Sequence, residues 1–314
     1  MNFWHKLKKP ILVLAPMAGI TDSAFRQLCH EYGADVVYTE MTSADALFYD
    51  SVKTKEMLSF NKKEKPVVCQ LFGKRVDVFP KACQMVEKAG FSGIDINFGC
   101  PARKVVRHGG GVTLMKDLNH CHKIIETVLS STKLPVSVKI RKSIGDVTAI
   151  DFLKKMRDLN ISAVMIHGRT YEKPFQGEID YKMIKQARKY FKGIIIANGN
   201  INSVEQAQIT LKKTGADGLG LARGLYGKPW LFREIKNAMV GRVGNAHVRS
   251  LPDIPTIAIR HAELLHKTKG KKGMFEVRKH LAFYVKGLPD ATKIRAELVR
   301  VTSVGEVRKI MGRL

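Results

Sequence analysis

Residues 93–101 read Gly-Ile-Asp-Ile-Asn-Phe-Gly-Cys-Pro, a short apolar run that leads into a loop with glycine, cysteine and proline. The run is too short for a typical helix, so it predicts a strand, which we interpret together with the similar runs below as one buried on both faces of a parallel sheet. Similar runs recur along the chain, at residues 11–14, 36–39, 67–71, 136–140, 163–167, 193–197 and 218–221. The sequence therefore predicts eight buried strands.

Helical patterns lie between these runs, at residues 22–32, 78–89, 149–159, 181–190 and 204–214. Gly90 and Gly215 follow two of them directly, where a glycine commonly ends a helix. Alternating strands and helices predict an α/β fold, and eight β-then-α units fit a (β/α)8 TIM barrel, which usually takes about 250 residues. A doubly wound open sheet is the alternative.

A second, smaller domain is predicted after the barrel. The barrel should close near Met239 and occupy residues 1–243, with Gly-Arg-Val-Gly-Asn at 241–245 as a linker. Residues 244–314 then predict a C-terminal helical domain with helices at 257–267, 275–288 and 291–301, and a last one from Val304.

The chain is strongly basic. Its 314 residues include 54 Lys and Arg against 28 Asp and Glu, a formal net charge of +26, while 45% apolar residues exclude a disordered basic tail. From residue 241 onward there are 16 basic and 6 acidic residues, a net +10 over 74 residues. This distribution favours a polyanionic partner, nucleic acid first, that the C-terminal domain clamps; a merely solvated basic face is the alternative.

The cysteines and the apolar runs argue against a membrane-spanning, disulfide-bonded or zinc-binding protein. No run of 18 apolar residues is present, so we expect no membrane-spanning helix. The five cysteines, at 29, 69, 83, 100 and 121, are scattered and show neither a C-x-x-C pair nor zinc-ligand spacing. They predict reduced thiols in the cytoplasm and no metal site.

Polar or reactive residues follow the predicted strands at their carboxyl ends, where barrels of this kind place their chemistry. Glycine-containing loops after strands seven and eight, with Arg223, predict a phosphate site. Gln70, Lys139 and His167 suit the polar edge of a planar heterocycle such as an isoalloxazine. Each residue alone has a structural explanation, because glycines make turns and a single His or Cys often lies in a core. The specific signal is their combination with Asn-Phe-Gly-Cys-Pro after strand four.

With these motifs the sequence resembles the bacterial tRNA-dihydrouridine synthases, most of all their B-type branch. The similar segments are APMAGITDSAFR (15–26), QLFG (70–73), DINFGCPARKV (95–105), KIR (139–141), HGRTYEKPFQGEIDY (167–181), NG (198–199), ARGLYGKPWLFREI (222–235) and RKHLAFYVKGLPDA (278–291). The resemblance covers nearly the whole chain, including the C-terminal domain.

The resemblance implies a flavin enzyme that reduces specific uridines of tRNA to 5,6-dihydrouridine, with FMN as cofactor and NADPH as electron donor. It implies Cys100 as the acid that protonates uracil C5, and a thiol of ordinary acidity is mostly protonated at neutral pH. The residues expected to bind FMN are Pro16, Met17, Ala18, Gln70, Lys139, His167, Asn198, Gly199, Asn200, Ala222 and Arg223. Those expected to bind tRNA are Asn97, Arg103, Lys104, Arg107, Arg141 and Arg169. We expect a monomer.

Two other functions are compatible with parts of the sequence. An FMN oxidoreductase acting on a small molecule, such as dihydroorotate or an enone, would have a similar barrel but no reason for a basic helical tail. An RNA-binding protein with an inactive barrel would not need Cys100, Lys139 and His167 together. A further hypothesis makes residues 109–111, three glycines, a hinge for the loop that carries Cys100.

Overall fold

Eight parallel strands form a closed barrel in the computed structural model, which describes residues 2–240 and 253–314. The strands are β1 (Ile11–Leu14), β2 (Val36–Tyr38), β3 (Val67–Phe72), β4 (Gly93–Phe98), β5 (Val136–Arg141), β6 (Ala163–His167), β7 (Ile194–Asn198) and β8 (Gly218–Leu221). Each strand pairs with the next, and β8 pairs with β1. The predicted TIM barrel is confirmed and the open-sheet alternative is wrong.

Helices follow every strand. They are α1 (Ser23–Glu31), α2 (Ala44–Phe48), α3 (Val52–Glu56), α4 (Phe79–Ala89), α5 (Arg103–Arg107), α6 (Leu118–Ser131), α7 (Ala149–Lys155), α8 (Tyr181–Ala187), α9 (Val204–Thr214), α10 (Leu231–Met239), α11 (Ile254–Tyr284), α12 (Ala291–Leu298) and α13 (Val304–Met311). Within residues 2–240 and 253–314, no helix is long and apolar enough to cross a membrane.

The sequence patterns located most of these helices but predicted none at α2, α3, α5, α6 and α10; the longest of these is α6. Its buried residues Cys121, Ile124, Ile125 and Val128 keep helical spacing, and Asp117 caps its first turn by accepting a hydrogen bond from the His120 amide. The signal was therefore present in the sequence. Helices α7 and α8 end three or four residues earlier than the patterns predict, because their last turns open into the loops that lead to β6 and β7.

The barrel interior is filled by side chains and closed at its amino-terminal end. Trp4, on a short 3-10 helix (Phe3–Lys6), is 1% exposed and packs with interior residues of the strands such as Ile11, Val36 and Met165. A second and larger core lies between the strands and the surrounding helices. The carboxyl ends of the strands are therefore the end of the barrel that is free to bind a ligand.

The C-terminal helices have a core of their own that includes part of the barrel. Leu265, Leu281 and other apolar residues of α11 pack with α12 and α13, and also with Leu28 of α1 and Trp230. Helix α11 is interrupted at Gly270, whose φ of 55° and ψ of −138° are not helical, so the two separate helices predicted here are present as two arms of one element. The predicted linker at 241–245 and the boundary at residue 243 lie outside the described residues.

Aromatic rings join the C-terminal helices to the barrel. Phe25 of α1 stacks on the rings of His261 and His280 at 5.6 and 5.2 Å between centroids. Tyr226, just after β8, stacks on Phe283 at 4.5 Å. These contacts fix α11 against the carboxyl-terminal end of the barrel.

Gly227 allows this docking, and its substitution should destabilise the protein. Its φ is 67°, and a β-carbon there would overlap the backbone carbonyl of Phe283. We expect Gly227→Ala to lower the free energy of unfolding by more than the ~1–2 kcal/mol that a left-handed alanine costs, as measured by urea denaturation.

Gly215→Ala is the matched control. Gly215 also has a positive φ, 61°, but no atom lies within 4 Å of its added β-carbon. This variant should show only the backbone cost, and equal losses in the two variants would mean that close packing against α11 contributes nothing.

Candidate functional site

A cavity of about 470 Å³ opens at the carboxyl ends of the strands. All the residues predicted to bind the cofactor line it: Pro16, Met17, Ala18, Gln70, Lys139, His167, Asn198, Gly199, Asn200, Ala222 and Arg223. Cys100 lines it as well, together with Asn97, Arg141 and Arg169. Arg103, Lys104 and Arg107 do not; they are exposed on α5, just beyond the cavity.

Strand register explains why distant residues meet here. Asn97 of β4 lies opposite Lys139 of β5, Arg141 lies opposite His167 of β6, and His167 lies opposite Asn198 of β7. Because Lys139 and Arg141 are two residues apart on β5, these pairs form two adjacent levels of side chains at the mouth of the barrel. The polar strand ends of the sequence thus become a single site.

The cavity is strongly electropositive. Lys139, Arg141, Arg169 and Arg223 line it, and none of its lining residues is acidic. Burial, with repulsion from Arg141, lowers the pKa of Lys139 to about 8, so that its ammonium is still mostly charged at pH 7. Burial also lowers the pKa of Arg141 to about 10. These cations favour binding of an anion such as a phosphate.

His167 is neutral in this environment. Burial, reinforced by the charges of Lys139 and Arg141, lowers the pKa of its imidazole to about 2. The ring therefore offers one hydrogen-bond donor and one acceptor instead of a charge.

The backbone that presents Cys100 is held from both sides. The side-chain oxygen of Asn97 accepts hydrogen bonds from the amides of Gly99 and Cys100 at 3.0 and 2.8 Å. The guanidinium of Arg141 donates to the carbonyl of Gly99 at 2.8 Å. Cys100 is half-buried, whereas the other four cysteines are buried. Only this thiol faces the cavity.

The glycines at residues 109–111, just after this loop, differ in backbone conformation and packing. Gly110 has an ordinary φ of −98°. Gly111 has a φ of 60°, and a β-carbon there would lie 2.7 Å from the carbonyl oxygen of Cys100. Gly111 is therefore required for close packing against the Cys100 loop, while the hinge hypothesis stays a prediction.

The structure adds two aromatic residues that the sequence patterns did not identify. Phe175 is 59% exposed at the cavity, and the guanidinium of Arg223 lies over its ring at 4.9 Å. Tyr226 forms another part of the wall. Both lie in irregular segments, where hydrophobic periodicity gives no signal.

The site fits a flavin mononucleotide. Apolar groups of Ala15, Pro16 and Met17 at one part of the wall suit a planar ring, and the cations that line the cavity suit its phosphate. Among the residues described, no three His, Cys, Asp or Glu side chains cluster in a way that would hold a metal ion.

Comparison with known proteins agrees with this geometry. The family model described as dihydrouridine synthase matches residues 13–312. A probable tRNA-dihydrouridine synthase 1 of Synechocystis is 33% identical over 95% of this chain and 84% of its own length. The tRNA-dihydrouridine synthase B of Pseudomonas aeruginosa is 34% identical over 92% of this chain and 88% of its own length.

Solved structures share the fold at low sequence identity. Histamine dehydrogenase from Rhizobium superposes with a TM-score of 0.55 and 13% identity, covering 81% of this chain and 48% of that one. Morphinone reductase in complex with tetrahydroNAD gives a TM-score of 0.52 and 14% identity, covering 80% of this chain and 92% of that one. These matches establish the barrel architecture.

Lys139 should bind the ligand at the expense of stability. In the folded protein its ammonium deprotonates near pH 8, and in the unfolded chain near pH 10.5, so burying the charge destabilises the fold below pH 8. We expect Lys139→Met to raise the melting temperature of the FMN-free protein at pH 7 and to weaken FMN binding.

The stability difference between Lys139→Met and wild type should shrink as the pH rises from 8 to 10.5, because wild-type Lys139 then loses its charge in the folded state first. Thermal denaturation across this range measures it. A stability difference between the two proteins that does not change with pH would contradict the lowered pKa of Lys139.

Proposed function

The chain belongs to the dihydrouridine synthase family, and on that premise we propose that it reduces specific uridines of tRNA to 5,6-dihydrouridine. The observation that carries the proposal is the cavity, where one half-buried thiol, a neutral imidazole and four cations meet beside an apolar wall. The family match also extends through the C-terminal helices to residue 312.

We propose that FMN is held by the residues that line the cavity. Pro16, Met17 and Ala18 would contact the ring, while Arg223 and the backbone at residues 198–200 would bind the phosphate. The chemistry that bound, reduced FMN would supply is a hydride for C6 of the uracil. NADPH as the source of the electrons is part of the same proposal.

Cys100 is the proposed proton donor. Its thiol is the only one at the cavity, and the hydrogen bonds of Asn97 hold its backbone in place. The thiol gives its proton to C5 as C6 gains hydride, so both atoms of the double bond become saturated. Lys139 and Arg141 carry positive charge beside the same space and would stabilise negative charge that develops on the uracil carbonyls.

Basic residues around the mouth would hold the tRNA. Arg103, Lys104 and Arg107 are exposed on α5 next to the Cys100 loop. From the other side, the ammonium of exposed Lys279 on α11 lies against Gly19, 3.9 Å from where a β-carbon would be. Gly19 follows the cavity residues 16–18, so α11 brings positive charge to the rim.

A uridine must leave its stack to reach this cavity, which costs a few kcal/mol and less in a loop than in a duplex. A monomer as the active unit is part of the same proposal. A tRNA substrate and five free cysteines support a cytoplasmic location.

An FMN oxidoreductase of small molecules is the second candidate, since the flavin-binding barrel alone would serve it. Deleting the C-terminal helices is a poor way to separate the two, because the deletion would expose the apolar faces of Leu28 and Trp230. Surface substitutions on α11 and direct tRNA binding distinguish them more cleanly.

Cys100→Ala tests the chemistry. This variant should keep FMN and its reduction by NADPH, but should form dihydrouridine in tRNA at least about a hundredfold more slowly, the usual contribution of a positioned acid. Nucleoside mass spectrometry of the tRNA measures the product. Cys121→Ala, which alters a buried thiol bonded to the Leu114 carbonyl away from the cavity, is the control. If Cys100→Ala forms dihydrouridine at the wild-type rate, another residue is the proton donor.

Lys279→Ala tests the tRNA surface. Losing one phosphate contact should weaken tRNA binding and reduce the slope of log affinity against log salt by about 1. Flavin content should be unchanged. Lys8→Ala, an exposed lysine just before β1 at the opposite end of the barrel, is the matched control. If both variants bind tRNA like the wild type, α11 does not reach the RNA at this point.

A further inference from the structure

A chain of buried polar side chains runs from inside the barrel to the Cys100 loop. The amide nitrogen of Gln70 donates to Oδ2 of Asp95 at 2.7 Å, and Oε1 of Gln70 accepts from the amide nitrogen of Asn97 at 2.8 Å. Oδ1 of Asn97 then accepts from the backbone amides of Gly99 and Cys100. Asp95, Gln70 and Asn97 are 0, 1 and 6% exposed, so solvent does not compete for these bonds.

The groups at the two ends of this series of hydrogen bonds determine which side-chain atoms donate and which accept. Backbone amides at Gly99 and Cys100 can only donate, so Asn97 must turn its oxygen toward them and its nitrogen toward Gln70. Gln70 must then turn its oxygen toward Asn97 and its nitrogen toward residue 95. An acceptor is therefore required at 95, and a carboxylate cannot be turned the wrong way, as an amide can.

We propose that Asp95 is a positioning residue for Cys100, which acts through the side-chain amides of Gln70 and Asn97. Its acceptor-only carboxylate sets the orientation of both amides and so holds the loop backbone that presents the thiol to the cavity. The consequence for catalysis rests on the proposed role of Cys100 as proton donor, but the hydrogen-bond relay is independent of that role.

The other partners of Asp95 are consistent with a fixed acceptor. Ser137 donates its hydroxyl to Oδ1 of Asp95 at 2.7 Å and shares a hydrogen bond with Tyr38 at 3.1 Å. Burial raises the pKa of Asp95 to about 6, and the hydrogen bonds from Gln70 and Ser137 oppose this rise. The carboxyl is thus mostly ionised at neutral pH although it is buried.

Alkylation of Cys100 provides a readout that needs neither tRNA nor turnover. Because the other four cysteines are buried, iodoacetamide should modify Cys100 selectively in the native FMN-loaded protein, and peptide mass spectrometry confirms the site. A loop that is less well held exposes the thiol more often and is alkylated faster. The rate is therefore a measure of loop order that is separate from dihydrouridine formation.

Asp95→Val removes the acceptor with little change in volume. We expect Cys100 alkylation to become about fivefold faster, the factor that corresponds to one net hydrogen bond. Asp95→Asn should restore the wild-type rate, since its oxygen can face Gln70 while its nitrogen faces the hydroxyl of Ser137. Ser137→Ala is the matched control: it removes the other hydrogen bond to Asp95 but leaves the relay intact, and should not change the rate.

A double-mutant cycle completes the test. Gln70→Leu cuts the relay one bond closer to Cys100, so it should accelerate alkylation by itself, and adding Asp95→Val should increase the rate no further. Three results would overturn the proposal. The effects of Asp95→Val and Gln70→Leu on the alkylation rate could multiply in the double variant, the rate could be unchanged in Gln70→Leu, or it could be faster in Ser137→Ala. The Gln70→Leu result stands even if Asp95→Val does not fold. The alkylation rates could agree with the relay while Cys100→Ala still forms dihydrouridine. That pair of results would support the positioning role of Asp95 and exclude only the role of Cys100 as proton donor.

Discussion

The pairing of β1 with β8 closes the sheet on itself, with Ile11 opposite Gly218 and Leu14 opposite Leu221. Because every strand is parallel, closure brings all eight carboxyl ends to one mouth. Residues as far apart in the chain as Pro16 and Arg223 become neighbours for this reason. In an open sheet the two outer strands would lie far apart, and the apolar wall would not face the cations.

The same closure creates an electrostatic cost. Lys139, Arg141, Arg169 and Arg223 are brought together without an acidic residue among the groups that line the cavity, and the lowered pKa values of the first three reflect burial and mutual repulsion. The apolar cores of the barrel offset this cost. A bound anion removes it, so the site is built for a negatively charged ligand, at the expense of the stability of the empty protein.

The sequence could predict the architecture because buried parallel strands and capped helices leave local signals. The strand runs at 11–14, 163–167 and 218–221 agree with the structure to the residue, as does α9. The residues of the cavity could be predicted because strand ends converge in a barrel. Phe175 and Tyr226 could not, since their positions depend on irregular loops and on contacts with Arg223 and Phe283.

The hydrogen-bond relay from Asp95 to the Cys100 loop could not be predicted from the sequence either. Asp95 is there one of two polar residues, with Asn97, in a short strand, and nothing indicates that its carboxylate meets Gln70 of the neighbouring strand. Only the lateral pairing of β3 with β4 makes the two side chains partners. Hydrogen-bond direction is a property of three-dimensional contacts and leaves no periodic trace.

Trp4 closes the far end of the barrel, and the interior between it and the cavity is packed with side chains. Among the described residues, the barrel is therefore open to ligands at its carboxyl-terminal mouth alone. A flavin bound in the cavity would enter through the opening that a docked tRNA would cover. Loading of cofactor would then precede docking of RNA, and flavin exchange in the complex would be slow, because a tryptophan closes the opposite end of the barrel.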